Sequence, residues 1–357
     1  MKQLKHKFLL CSLLLLTILA SCKKDKIEDG SEPDPTAERK GIFILNQGLK
    51  DLNNTTFSYF DFSSGTFTLD QFRKTNNRGL GDTGNDVQVY GSKMYIVVNI
   101  SGTIEVANAR TAVSIKQIDF KDGTATRLPR SIVFYQNKAF ISSTDGRIAV
   151  MDTTSLTIEK YITVGRNPEE MAIANGKLYV ANSGGFSFPN YDKTVSVIDL
   201  NTLTEIKKIA VVDDPYYVAA DQYGDVYVLS YGNYDPFINS SMAIIDSKTD
   251  LVKSQKDFAA GAMAISGDYA YITSWDGTVK LFNVKTEVLE RENFVTDGTK
   301  IKAPYGVAVD DNSGEVFITD AKNYQINGKV FRFDKTGTVK DSINAGISPS
   351  KIIFISK

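Results

Sequence analysis

The chain has 357 residues, with 41 Lys and Arg against 42 Asp and Glu, one histidine and two cysteines. His6, Cys11 and Cys22 all fall within the first 22 residues. The remainder therefore offers no disulfide, no Cys/His zinc site, no His-ligated haem, no Ser-His-Asp triad and no Cys-His nucleophile.

Lys2, Lys5 and Lys7 precede an apolar stretch from Phe8 to Ile18, and Leu19-Ala20-Ser21-Cys22 follows. A basic start and an apolar run too short to span a bilayer predict a secretory signal. The Leu-Ala-Ser-Cys ending resembles a bacterial lipobox. That resemblance implies a signal peptide over 1–21, cleavage before Cys22 and lipidation of the Cys22 thiol; the alternative is an ordinary signal with an incidental cysteine. Loss of the three lysines leaves 38 basic against 42 acidic residues, a net charge of −4. Such a chain lacks the basic footprint of a nucleic-acid binder. Residues 22–40 are polar and Pro-containing, and read as a flexible tether. Cys22-Lys-Lys-Asp resembles the start of Bacteroidetes lipoproteins, which implies a lipid-anchored outer-membrane protein, facing the cell surface or the periplasm.

From Gly41 onward the sequence repeats. In 167–211, Pro168-Glu-Glu-Met-Ala-Ile leads into an Asn175-Gly176 turn, then Lys177-Leu-Tyr-Val-Ala-Asn, a loop, Thr194-Val-Ser-Val-Ile-Asp199 and Thr204-Glu-Ile-Lys-Lys-Ile-Ala-Val. This predicts four short strands, with Asn-Gly closing a hairpin. The second-strand aromatic recurs at Phe43, Tyr95, Phe140, Tyr179, Tyr227, Tyr271 and Phe317. An Asp or Asn closes the third strand at Asp61, Asn108, Asp152, Asp199, Asp246, Asn283 and Asp334. First strands start at Gly84, Pro129, Pro168, Pro215, Ala260, Pro304 and Pro349.

The first-strand series ends at the C-terminus, whereas the other two begin near the N-terminus. Pro349 and its followers thus supply the inner strand that the blade begun by Gly41 lacks. The expectation is an all-β, seven-bladed β-propeller over 41–357, four strands per blade, closed by the C-terminal strand. A linear β-solenoid is the alternative, and the split blade argues against it. Tyr179-Val-Ala-Asn182 and Val195-Ser-Val-Ile-Asp199 resemble the YVTN family of propeller repeats, a likeness specific for fold and poor for function.

Ligand residues are expected on the face that carries the strand two–three loops and the connections between blades. Those loops supply Phe186 and Tyr191 in blade four, Tyr231 and Tyr234 in blade five, Trp275 and Asp276 in blade six, and Asn323 and Tyr324 in blade seven. The residue after each first-strand proline should border the central opening: Arg130, Glu169, Tyr216 and Tyr305. Rings beside amides and carboxylates suit a large, flat, partly apolar ligand. Alternatively, the rings pack beneath their own loops. Gly79-Leu-Gly-Asp-Thr-Gly84 matches a dinucleotide fingerprint, but a strand rather than a helix follows it. Asp310-Asp-Asn-Ser-Gly-Glu315 reads as a hairpin turn rather than half a calcium loop, and Asp213-Asp214 as a solvated turn before Pro215.

Asn46-Gln-Gly, Asn53-Asn-Thr-Thr-Phe-Ser-Tyr-Phe-Asp61 and Leu80-Gly-Asp-Thr-Gly-Asn-Asp86, following a lipobox and tether, resemble the surface cobalamin-binding propeller lipoproteins of gut Bacteroidetes. The resemblance implies capture of a corrinoid (vitamin B12) for a TonB-dependent transporter, with cobalamin as bound ligand rather than catalytic cofactor. The alternative is a surface propeller binding a glycan or another protein. No catalytic or metal-binding residue is assigned and no enzymatic activity is expected, since the chain beyond residue 22 lacks the commonest general base. A carboxylate-only calcium site or a quinone cofactor stays open.

Overall fold

The computed structural model describes residues 38–356; the signal peptide, Cys22 and nearly all of the tether lie outside them. Seven four-stranded antiparallel sheets form the blades of a propeller. Blade four follows the predicted pattern, with strands Pro168–Ala174, Lys177–Asn182, Thr194–Asp199 and Thr204–Ala210.

Blade one is the composite one. Its innermost strand, Pro349–Ser356, pairs with Arg39–Asn46, which pairs with Thr56–Asp61 and then the short Phe67–Thr68. The inner strands touch in ring order, and Pro349–Ser356 meets both Gly84–Tyr90 of blade two and Pro304–Asp310 of blade seven. The sheet thus begins at Arg39, two residues ahead of the expected boundary. A six-residue helix, Gln71–Asn76, stands beside blade one's two-residue outer strand. Asp70 caps it by accepting a bond from the Arg73 backbone, and Phe72 is buried beneath it.

Two of the repeated residues explain why each blade forms. All seven second-strand aromatics are buried, from Tyr95 at 0% exposed to Tyr271 at 7%, so each ring supplies apolar area to the packed sheets. The Asp or Asn closing the third strand folds the next turn. Asp152 Oδ1 accepts the Thr154 and Ser155 amides at 3.0 and 2.8 Å, and Asp199 does the same for Asn201 and Thr202. These are Asx turns. The bonds hold the Asp152 carboxyl down at about 2 despite an opposing effect of burial.

The faces are distinguished by their connections. The strand one–two hairpins lie on one face, where Arg39 Nε donates to Asp310 at 2.8 Å. The described chain therefore starts on the hairpin face. The strand two–three loops and the links between blades lie on the other.

Candidate ligand-binding cup

Six of the seven inner strands open with an irregular register. The shift falls at Gly84/Asp86, Pro129/Ile132, Pro168/Met171, Pro215/Tyr217 and Pro304/Val307, and opposite Leu45/Asn46 for the strand starting at Pro349. In a regular strand, successive side chains point to opposite faces. An extra residue at the strand head re-aims them, so two consecutive residues per blade reach the central opening. The doublets are Asn85-Asp86, Arg130-Ser131, Glu169-Glu170, Tyr216-Tyr217, Tyr305-Gly306 and Ser350-Lys351. Blade six differs because its strand starts only at Met263, three residues after the expected Ala260. There Gly261 and Ala262 are instead held to Thr273 by backbone and hydroxyl bonds of 2.7 Å.

These doublets line a cup of about 430 Å³, with Asp86 buried behind it. Gln47, Ser183, Phe186, Asp214, Tyr231 and Trp275 complete its rim. On the side of blades two to four the lining is charged and closely paired. Arg130 Nε donates to Glu169 at 2.6 Å and Nη1 to Asn85 at 2.9 Å. Lys351 Nζ, from the closing strand, reaches across to Glu170 at 2.8 Å and lies 3.6 Å from Asp86. Ser131 Oγ donates to Glu170 at 2.9 Å, and the Ile132 and Val87 amides donate to Asp86 at 3.0 and 2.8 Å. Burial pushes the Asp86 carboxyl up and Lys351 pulls it back. Burial works against the Lys351 ammonium, yet Glu170 and Asp86 outweigh it and hold its pKa well above the ordinary lysine range.

The side of blades five to seven is aromatic. Gly261 and Ala262 present no bulk, and Tyr216 and Tyr217 lean over them, donating to the carbonyls of Ala260 at 2.6 Å and Met263 at 2.7 Å. Tyr231 stacks on Tyr216 at 3.6 Å, and Trp275 lies 5.9 Å from Tyr231 at 41°. Trp275, in the short turn 274–277, is 55% exposed. Tyr305 donates to Gln47 at 2.8 Å.

Of the residues expected from sequence, Arg130, Glu169, Tyr216, Tyr305, Tyr231, Trp275 and Phe186 converge on the cup. The other five lie outside its lining. Asp276 accepts the Thr278 amide and hydroxyl at 3.0 and 2.6 Å, and Asn323 accepts the Gln325 and Ile326 amides; both carboxamide and carboxylate are engaged in turns. Tyr324 meets Tyr305 edge-on at 5.4 Å, so it backs the cup wall. Tyr191 packs against Phe188 at 5.9 Å within its own loop. Tyr234 stands out on a small hairpin, Asn233–Tyr234 with Phe237–Ile238, 82% exposed.

The cup also contains residues that sequence reasoning missed. Glu170 and Lys351 stand one position beyond the expected proline-plus-one site, a consequence of the register shift. Asp213-Asp214 forms the expected turn before Pro215, but both residues are only partly exposed. Asp214 holds φ +57° and donates its amide to the Asp192 carbonyl at 2.8 Å, folding back against the cup. Burial, with help from Glu169 and Asp213, pushes its carboxyl up to about 7. No cation lies within ion-pair distance of it among the described residues. Nor do those residues include a group of three or more His, Cys, Asp or Glu placed to hold a metal ion.

Comparison with solved structures places the fold among widely different propellers. The chain is similar to a quinonprotein alcohol dehydrogenase-like protein from Bacteroides thetaiotaomicron, with TM-score 0.68 and 18% identity over 88% of this chain and 78% of that one. It is also similar to the hydrazine synthase of Kuenenia stuttgartiensis, with TM-score 0.61 and 15% identity over 75% and 93%. The computationally designed Ika8 protein gives TM-score 0.59 and 15% identity over 90% and 95%. At these identities the likeness concerns the fold alone. No curated protein sequence matches the chain. Residues 40–354, essentially the whole propeller, match the family described as a domain of unknown function, DUF5074, and the chain belongs to that family.

Proposed function

We propose that this propeller is a non-enzymatic binding protein, anchored through a lipid on Cys22 and capturing a large, partly flat ligand in its central cup. The observation that carries the reading is the juxtaposition of stacked, half-exposed rings at Tyr216, Tyr231 and Trp275 with a carboxylate-rich wall. Flat apolar surface would lie on the rings while N–H donors meet Glu169 and Asp214. The sequence resemblance supplies the ligand class, a corrinoid, whose planar macrocycle and peripheral amides have that chemistry. A cup of about 430 Å³ would take part of such a molecule, with the rest across the face. Cell-surface placement and a TonB-dependent transporter as partner rest on the resemblance alone.

The test is retention of cobalamin. Protein incubated with cobalamin and desalted should keep the corrin absorption band, and loss of the band would reject the corrinoid class. Cys22→Ser should release the protein from the membrane fraction, and persistence there would reject the anchor. A second reading, a surface propeller for a glycan or polypeptide, is favoured by the protruding Phe186, Tyr234 and Phe237, which are 83%, 82% and 74% exposed.

A further inference from the structure

We propose that the cup receives a cationic end of its ligand, an organic ammonium beside a flat apolar group, with the ammonium between the Asp214 and Glu169 carboxylates and the apolar part against Tyr216, Tyr231 and Trp275. The inference rests on the cup being the ligand site and departs from the corrinoid class, whose neutral peripheral amides offer no ammonium.

Charge matching carries the argument. Arg130 and Lys351 are the cations of the cup wall, facing Glu169, Glu170, Asp214 and the Asp86 buried behind them. Both cations are committed. Arg130 bonds Glu169 Oε2 and Asn85, and Lys351 is held between Glu170 and Asp86. Arg166, behind the rim, is committed to Asp192. Asp214 alone among these carboxylates touches no cation, and it stands on the aromatic side. An anionic ligand would enter a wall with excess negative charge, and a neutral one would leave Asp214 unmatched. A cation matches it and gains from the ring faces as well.

The titratable groups around Asp214 agree. Glu169 faces it from the inner strand of blade four and Asp213 from beside it. The Tyr191, Tyr216 and Tyr231 hydroxyls feel its charge from the loop of blade four and from blade five. None of these neighbours is cationic, and the carboxyl sits at about 7. A bound ammonium needs Asp214 ionised, so binding should be full above pH 7 and weaken below it.

The experiment titrates the full chain with phenethylamine, its neutral isostere 2-phenylethanol and the anion 3-phenylpropionate, following Trp275 fluorescence and calorimetric heat. The amine should bind at least about tenfold more tightly than the other two at pH 8, and about tenfold more weakly at pH 6 than at pH 8. Asp214→Asn should remove both the preference and the pH dependence. Asn tolerates the left-handed backbone of position 214, so this variant keeps the turn, and the wild-type ranking and pH profile decide the question independently of it. Equal or tighter binding of the alcohol or the acid overturns the inference. So does an Asn variant that keeps the preference, or an amine that fails to bind at millimolar concentration. Cobalamin retention, measured in parallel, separates the two claims. Retention without any charge preference overturns the cation and leaves the corrinoid reading standing. A charge preference without retention supports the cation and removes the corrinoid.

Discussion

The two sides of the cup are held together differently. Toward blades two to four, the Arg130–Glu169 and Lys351–Glu170 pairs lock the lining, with Asp86 fully buried behind them. Toward blades five to seven, Tyr231 and Trp275 remain 41% and 55% exposed and meet their neighbours by ring contact. Buried charges tolerate little displacement, because each lost partner leaves another charge stranded. Rings tolerate sliding at small cost. The polar side is thus fixed by its ion pairs, and the aromatic side is the one whose rings are left exposed in the cup.

The largest expected effect falls on the polar side. Deleting 349–357 removes both the inner strand of blade one and Lys351, leaving Arg39–Asn46 with an open edge. Soluble yield should collapse, and a truncated protein that melts like the full chain would break the closure argument. Lys351→Met keeps the strand but strands Asp86 and Glu170, and should cost about 3 kcal/mol in denaturant unfolding at pH 7. Without the ammonium, nothing opposes the burial that pushes the Asp86 carboxyl up, so Asp86 takes up a proton more readily folded than unfolded. The deficit should therefore shrink as pH falls toward 5. A loss independent of pH would mean that packing, not charge, is what Lys351 supplies.

The aromatic side should respond in the opposite sense. Trp275→Ala should weaken ligand binding by about 2 kcal/mol, roughly thirtyfold, while barely moving the melting temperature. The only indole in the chain should also report occupancy by fluorescence. Severe destabilisation with normal binding once folded would assign the ring to structure instead.

The fold was legible because three residue series repeat with the blades, and their phase shift exposes the split blade. The site was legible in part. A proline or glycine marks where most inner strands begin, so the following residue could be placed at the opening. That the next residue also lines it depends on the register shift, which leaves no mark in composition, and Glu170 and Lys351 were missed for that reason. Blade six carried no such marker, and its strand begins at Met263 rather than Ala260. Asp276 and Asn323 looked like ligand groups because a turn-capping side chain and a binding side chain have the same chemistry in sequence. The surroundings of Asp214 were not legible because Glu169, whose charge it feels, and Tyr231, whose amide it accepts, are remote along the chain or beyond the next strand.

The smallest predicted effect is the most direct test that the aromatic side is kept receptive at a cost to stability. A carboxyl raised to about 7 in the fold, from an ordinary 3.8, binds its proton more tightly folded than unfolded. Its penalty is absent below the unfolded value, grows between the two and is complete above 7. The measurement is the unfolding free energy of wild type and Asp214→Asn against pH. Allowing for the partial exposure of the carboxylate, the Asn variant should be more stable by about 1 kcal/mol at pH 8 and equal near pH 4. Two parallel profiles, or an Asn variant less stable at pH 8, would contradict the account.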